Sequence, residues 1–413
     1  MAFKKIIMLL VVFSILVKLV FLFGSGAYHN PQTFEYEEMA QNMLDGKGLY
    51  YSNLGIKYYG GIGPGFPLMC YGVYKLFGHN PLYIIFIQIV VTSLLIIPVA
   101  LIARRIFDEK TAVLAGFLVG LHPALIVYAA CKVHKMNIYS FLFILLAYLF
   151  LRLKEDPRLS RFIILGIVAG ITMLVRVTGV VFIFFGLIWF YWVSRERAGY
   201  KIKAIALFLL IFFLTLIPWQ IRNYAVFGKP VLLRTNQWGA LWYGNIPGSK
   251  GCLYGEDGSV NVDNITATLP PEFFKMDEIK QNDYLKALTI GYFREDPGAF
   301  ITRIIKKVYY FWYFSPYQGS LYPKLWMRLY KIYYLFILTP AIFSIIYSFL
   351  FLKKGNKQEM ALILALFLGL TMVHSLYFVE ARHRWTIEPL LLIFTANGLL
   401  VIRSFIFKPA KLT

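Results

Sequence analysis

The chain has 413 residues, of which 59% are hydrophobic, 18% aromatic and only 15% charged. With a mean hydropathy of +0.63 it is too apolar for water to be its main solvent. The formal charge of +21 does not point to nucleic acid, because Lys and Arg cluster beside apolar blocks rather than along one soluble face, where they set topology and meet anionic lipid.

Apolar blocks of about 15 to 23 residues recur along the chain, most of them long enough to cross a hydrocarbon core of roughly 30 Å at about 1.5 Å per helical residue. The short alternating strands of a membrane barrel are absent. Ten spans are predicted, over residues 6–24, 82–103, 111–130, 136–151, 161–175, 177–194, 203–218, 330–352, 359–375 and 386–403, in an all-α polytopic membrane fold. The first follows Lys4 and Lys5 as a signal peptide would, but it is long and lacks a small-x-small cleavage site, so it reads as a retained span. Lys18 within it either snorkels or faces another helix.

With the N-terminus inside, the cytoplasmic segments are the turns Arg104-Arg105…Lys110, Arg152…Arg161, Arg195…Lys203 and Lys353-Lys354…Lys357, and the tail Arg403…Lys411. Every one is basic, as the positive-inside rule requires. Both termini are then cytoplasmic, and two long segments, 25–81 and 219–329, lie outside. The chain divides into an N-terminal transmembrane module (1–218), an extracytoplasmic segment (219–329) and C-terminal transmembrane helices (330–413). A helix is predicted over Gln281–Phe293, stopped by Asp296-Pro297-Gly298. Beyond it, Lys306 and Lys307 among Tyr309, Tyr310, Phe311 and Trp312 predict an interfacial helix at headgroup level. Cys70, Cys131 and Cys252 form no CxxC and read as free thiols.

The outer segments carry an ordered set of phrases. Glu35-Tyr36-Glu37-Glu38-Met39-Ala40-Gln41-Asn42-Met43-Leu44-Asp45-Gly46-Lys47-Gly48 comes first, then Gly63-Pro64-Gly65-Phe66-Pro67 and Tyr74-Lys75-Leu76-Phe77-Gly78. Gly166…Gly170…Leu174-Val175-Arg176, Pro218-Trp219-Gln220-Ile221-Arg222-Asn223-Tyr224 and Trp242-Tyr243-Gly244-Asn245-Ile246-Pro247 follow, and Glu380-Ala381-Arg382-His383-Arg384 with Glu388-Pro389 close the set. In order, spacing and outer location this resembles the GT-C glycosyltransferases, specifically the family 39-like branch that holds protein O-mannosyltransferases and lipid A aminoarabinose transferases. The resemblance implies a GT-C fold of about ten transmembrane helices. It also implies a polyprenyl-phosphate-linked sugar donor, a lipid, glycan or protein acceptor, and an active site on the outer side of the cytoplasmic membrane.

In that chemistry the leaving phosphate is already a weak base, so it needs cations more than a general acid, and one carboxylate can serve as the inverting base. The related enzymes place an Asp a few positions before the tyrosine that matches Tyr36, where this chain has Gln32 or Thr33. Glu35 is the nearest carboxylate, with Glu38 and Glu37 as alternates. A helix over Thr33–Leu44 puts Tyr36, Met39, Ala40 and Met43 on one face and aims Glu35 and Glu38 together on another. The competing account is that first-turn acids only offset the helix dipole. For the phosphate and sugar the candidates are Arg222, Arg382, Arg384 and Arg176, with Tyr36, His134, Lys135 and Asn245. Juxtamembrane arginines also serve as plain interfacial anchors. Lys132, His134 and Lys135 occupy an outer turn where the related enzymes often carry Glu, and a solvated polar turn is the plainer account of them.

His29, His79 and His374 have no metal-site spacing; no cofactor is expected, and a divalent metal is left open. Two other functions fit the composition. One is a transporter or flippase that uses Lys18 and Arg176, and the other is a non-catalytic relative that binds a lipid-linked sugar.

Overall fold

The computed structural model describes residues 2–53, 55–253, 266, 268–315 and 324–407. A helix or helix pair occupies each of the ten predicted spans. They are α1 (Ala2–Gly24), α4 (Pro81–Leu94) continued by α5 (Ile96–Ile106), α6 (Glu109–Gly120) with α7 (Pro123–Cys131), α8 (Met136–Arg152) and α9 (Leu159–Val175). A mixed 3-10, π and α segment over Val177–Val193 ends in α10 (Leu187–Val193), and α11 (Ala198–Phe227), α15 (Lys324–Phe351), α16 (Lys354–Leu376) and, after the short α17 (Ala381–Trp385), α18 (Glu388–Ile406) complete the set. Among the described residues, six helices are long and apolar enough to cross a membrane, α6 and α7 form an apolar pair bent by 44°, and three shorter apolar helices pack with them. Local chemistry sets the bend, because Pro123 cannot continue a ladder and His122 caps the new helix by accepting from the Leu125 amide at 3.3 Å.

The basic turns gather at one end. Arg105 pairs with Glu155 at 3.0 Å and with Glu359 at 2.9 Å. Lys154 reaches Glu359 at 3.2 Å and the Gly355 carbonyl at 2.6 Å, and Tyr200 donates to the Pro157 carbonyl at 2.5 Å. Lys18 does not snorkel: it is fully buried and donates to Ser14 at 2.5 Å and to Ser93 of α4 at 3.0 Å, so it ties α1 to its neighbour.

The other end carries the two long segments expected outside. α2 (Glu35–Leu44) packs on α3 (Gly65–Phe77) and on a hairpin of β1 (Tyr51–Asn53) and β2 (Ile56–Tyr58), registered Tyr51 to Tyr58. Short α12 (Gln237–Tyr243) packs on α13 (Glu278–Glu295) around Trp242, Leu269, Phe273 and Leu285. Glu278 joins this unit to the first outer segment by accepting from the Tyr59 amide at 2.8 Å and the Thr235 hydroxyl at 2.5 Å. α13 is longer than predicted because Asp277 caps its start, at 2.9 Å from the Lys280 amide. Asp296 does the same for α14 (Pro297–Trp312). α14 shows an apolar outer stripe of Ile301, Ile305, Val308 and Tyr309, as an interfacial helix would. Lys307 departs from its expected headgroup position. It turns inward and donates to the Gly244, Leu376 and Tyr377 carbonyls and to Asn245 Oδ1, at 3.1, 3.2, 2.7 and 2.8 Å. Cys70, Cys131 and Cys252 are free thiols.

Candidate active site

The first-turn acids of α2 separate as soon as their partners are counted. Glu37 accepts from the Tyr74 hydroxyl at 2.7 Å and meets His79 Nε2 at 2.6 Å. Glu38 folds onto the hairpin and accepts from the Ser52 amide at 2.9 Å. The expectation that Glu35 and Glu38 aim the same way is therefore not met, since strand β1 draws Glu38 aside. Glu35 stays on the inner side beside the Tyr36 hydroxyl, within electrostatic reach of Lys135 and Tyr51. Burial of Tyr36, and then the Glu35 charge beside it, push the phenol well above its ordinary range, so it is a neutral donor.

Cations share the surroundings of Tyr36 and Lys135 with this carboxylate. Arg176 ends α9, donates to Met136 Sδ and lies 5.5 Å over the Tyr139 ring. Its position is set by the Gly63-Pro64-Gly65 phrase: a Cβ on Gly63 would sit 2.6 Å from the Leu174 carbonyl oxygen, so only glycine lets this segment lie on the last turn of α9. Lys135 lies 5.2 Å over the Tyr36 ring. Burial, followed by the Arg234 charge, pulls its pKa down to about 7. Arg382 is held by Glu380 at 2.5 and 3.1 Å. Arg234 was not anticipated; it lies in a turn with no motif, where it donates to the Gly61 carbonyl at 3.1 Å and acts on Lys135 and Tyr51. Arg176, Arg234 and Lys135 have no carboxylate partner among the described residues.

The basic turn is built in. Gln88 of α4 accepts from the His134 amide at 2.9 Å and donates to the Lys132 carbonyl at 2.8 Å, while Val133 donates to the Gln32 carbonyl at 2.9 Å. The His134 ring packs edge-on against Phe34, Tyr128 and Tyr36 at 5.1, 5.4 and 5.8 Å. Burial, and next the Arg382 charge, hold it well below its usual pKa, so it is a neutral imidazole. The plain solvated turn is not what the structure shows.

Three expected ligand residues are employed elsewhere. Arg222 donates to the Tyr59 carbonyl at 2.8 Å, the Leu49 carbonyl at 2.9 Å and Asn223 at 3.1 Å, and it stacks on Trp219, so it anchors the first outer segment. Arg384 is 1% exposed and is bound to Glu388 at 2.7 Å and to the Tyr313 carbonyl at 2.9 Å. Glu388 also meets His122 and Tyr330, each at 2.6 Å, a buried network that ties the α6–α7 bend to the Arg382 loop. Asn245 donates to the Leu241 and Leu376 carbonyls at 2.7 and 2.8 Å and accepts from Lys307. These residues shape the site from behind; Glu35, Tyr36, His134, Lys135, Arg176 and Arg382 are the expected residues that come together.

A cleft of about 410 Å³ opens on the Glu37 and His79 side of α2 and holds none of these cations. Among the described residues, no group of three His, Cys, Asp or Glu side chains can hold a metal. His374 instead stacks on His383, with ring centroids 4.2 Å apart.

Residues 62–221 match the family model of dolichyl-phosphate-mannose-protein mannosyltransferase. The match takes in Gly63, the Lys135 turn and Arg176 and stops before Arg222. No protein of curated function matches the chain. Among solved structures, the apo oligosaccharyltransferase of Archaeoglobus fulgidus aligns over 100% of this chain and 53% of its own, with TM-score 0.56 and 14% identity. The oligosaccharyltransferase AglB of the same organism, in complex with an inhibitory peptide and a dolichol-phosphate, aligns over 100% and 52%, with TM-score 0.57 and 14% identity. ArnT from Cupriavidus metallidurans bound to undecaprenyl phosphate aligns over 97% of this chain and 79% of its own, with TM-score 0.44 and 14% identity. The chain spans about half the length of the archaeal enzymes it matches. It is a multi-pass helical protein with the GT-C fold, as its outer-segment phrases implied.

Proposed function

We propose that the chain transfers a sugar from a polyprenyl-phosphate carrier to an acceptor hydroxyl, with inversion, at the outer face of the cytoplasmic membrane. The observation that carries this is the Glu35 carboxylate, which shares the surroundings of Tyr36 and Lys135 with Arg176, Arg234 and Arg382 at the end of the bundle opposite the basic turns. Glu35 takes the proton of the acceptor hydroxyl as its oxygen bonds the anomeric carbon. The bond from that carbon to the phosphate oxygen breaks, its electron pair stays on the phosphate, and the cations neutralise the added charge. Tyr36 and His134 form the neutral wall beside the sugar. The AglB structure with a dolichol-phosphate supports a lipid-phosphate donor on this fold.

A transporter reading loses one of its two intramembrane charges, because Lys18 is occupied by serines. A sugar-binding relative without activity is separated by turnover. The test is transfer of labelled sugar from a polyprenyl-phosphate donor by the purified full-length chain. Transfer that depends on Glu35 supports the reading, whereas donor binding without any transfer, or transport without transfer, overturns it.

A further inference from the structure

Away from the cations, the outer segments enclose a second cleft. It has a volume of about 60 Å³ and lies between the hairpin, α12 and α13. That volume admits about two waters, or one edge of a ring laid across its mouth. Its wall is made of aromatic faces and planar amides. Tyr51 and Tyr58 stack at 5.5 Å, and Trp242, Tyr243 and Phe273 continue the aromatic side.

The polar side is supplied by Asn53, Asn236, Gln281 and Asn282. Gln281 is occupied, since it accepts from the Tyr58 hydroxyl at 3.0 Å and donates to the Phe273 carbonyl at 3.2 Å. Asn282 uses only its oxygen, on the Trp238 amide at 2.9 Å. The side-chain amides of Asn53 and Asn236 make no hydrogen bond to a described residue. Trp242 is 3% exposed, and its indole Nε1–H has no acceptor among the described residues. An orphaned buried donor is costly, so a ligand oxygen is its natural partner.

Charge narrows the ligand further. Glu278, the carboxylate of this wall, is consumed by the Tyr59 and Gly60 amides and the Thr235 hydroxyl. The cleft therefore offers stacking faces and neutral donors and acceptors, with no ionic partner. A sugar ring matches this set: its C–H face lies on an aromatic ring and its hydroxyls take amide donors and acceptors. An aliphatic peptide side chain would leave the amides unused. Tyr51 belongs both to this wall and to the surroundings of Glu35 and Arg234, so the two places share a partition.

We propose that this cleft is a subsite for a neutral saccharide ring, next to the ring that is transferred. It rests on the transferase reading only for what it serves, either the acceptor glycan or the distal part of a donor glycan.

The test is saccharide binding by the purified full-length chain, read by saturation-transfer NMR and tryptophan fluorescence. The probes are neutral di- and trisaccharides of glucose, mannose, galactose and N-acetylglucosamine, with a Ser/Thr peptide alongside. At least one saccharide is expected to bind, and Trp242→Phe and Asn53→Ala are each expected to weaken it about three- to tenfold, the loss of one hydrogen bond. Asn53 lies on the exposed hairpin, so its variant decides the matter if Trp242→Phe fails to fold. Competition by intact donor but not by bare polyprenyl phosphate assigns the ring to the donor; competition by neither assigns it to the acceptor. Absence of saccharide binding, binding unchanged in both variants, or peptide binding lost in their place would overturn the proposal. Saccharide binding and sugar transfer are measured in separate assays on the same protein, so failure of transfer and failure of this subsite are read separately.

Discussion

A general base must keep a free oxygen and stand close to the cations that draw off the leaving group. Of the first-turn acids of α2, Glu37 has both oxygens taken, by Tyr74 and His79, and Glu38 is drawn onto Ser52, while Glu35 alone of the three acts on Lys135 beside the cations. Glu35→Gln is expected to lower turnover by about 10²–10⁴-fold while donor binding survives, because shape is kept and the proton acceptor is lost. Glu38→Gln is expected to cost under about 1 kcal/mol of stability and little activity. Full activity in Glu35→Gln with an inactive, folded Glu38→Gln would transfer the role. Lys135 gives a second test through pH. Its free pKa is about 7, below the ordinary lysine value, and an anionic donor raises it by favouring the charged form. Affinity for a phosphodiester donor is then full below about pH 7 and falls as pH rises above it. Lys135→Arg, which stays charged, is expected to flatten that slope, and titration calorimetry at pH 6, 7.5 and 9 measures it.

At the scale of elements, the site depends on loops pinned from outside it. Lys307 of α14 gathers the 244–245 turn and the end of α16 at 376–377, only a few residues before Arg382. A Cβ on Gly244 would lie 1.8 Å from the Tyr377 carbonyl oxygen, a contact no side-chain shift relieves. Gly244→Ala is therefore expected to lower the thermal midpoint and to weaken donor binding, by displacing the loop that carries Arg382. Lys307→Met leaves those oxygens without their donor and is expected to cost about 1–3 kcal/mol, measured by thermal unfolding. If either variant keeps wild-type donor affinity, the loop does not position Arg382. These clamps explain which parts of the site were legible. The Trp242-Tyr243-Gly244-Asn245 phrase was visible as a motif, but its use was not, because the partners of Asn245 lie on α14 and α16. The partners of Arg222 were hidden for the same reason: its acceptors, Leu49 and Tyr59, are more than 160 residues away in sequence. Arg234 had no motif at all, and only folding brings it beside Lys135.

Over the whole molecule, the spans were legible because length and hydropathy are local quantities, and each predicted interval holds a helix. The α6–α7 bend has a local cause in Pro123 and the His122 cap, but the pairing of that cap with Glu388 of the last span, at 2.6 Å, is visible only in the fold. The charge distribution is what argues for an orientation. The turns around Arg105, Lys154 and Lys353 share one end, where Arg105 and Lys154 converge on Glu359, while Glu35 and its cations share the other. If basic turns stay inside, the donor headgroup meets Glu35 on the outer face, and the carrier tail remains in hydrocarbon. Single cysteines test this on whole cells. Lys353 is exposed beside α16, and Lys275 is exposed in the outer segment just before α13. Lys353→Cys is expected to be protected from a membrane-impermeant maleimide until the cells are opened, and Lys275→Cys to react at once. Cys70 and Cys252 are buried, but Cys131 is only partly so, and a Cys131→Ser background removes its signal. The opposite labelling pattern would put Glu35 and its cations on the cytoplasmic side, and the outer-face reaction would fall with the topology.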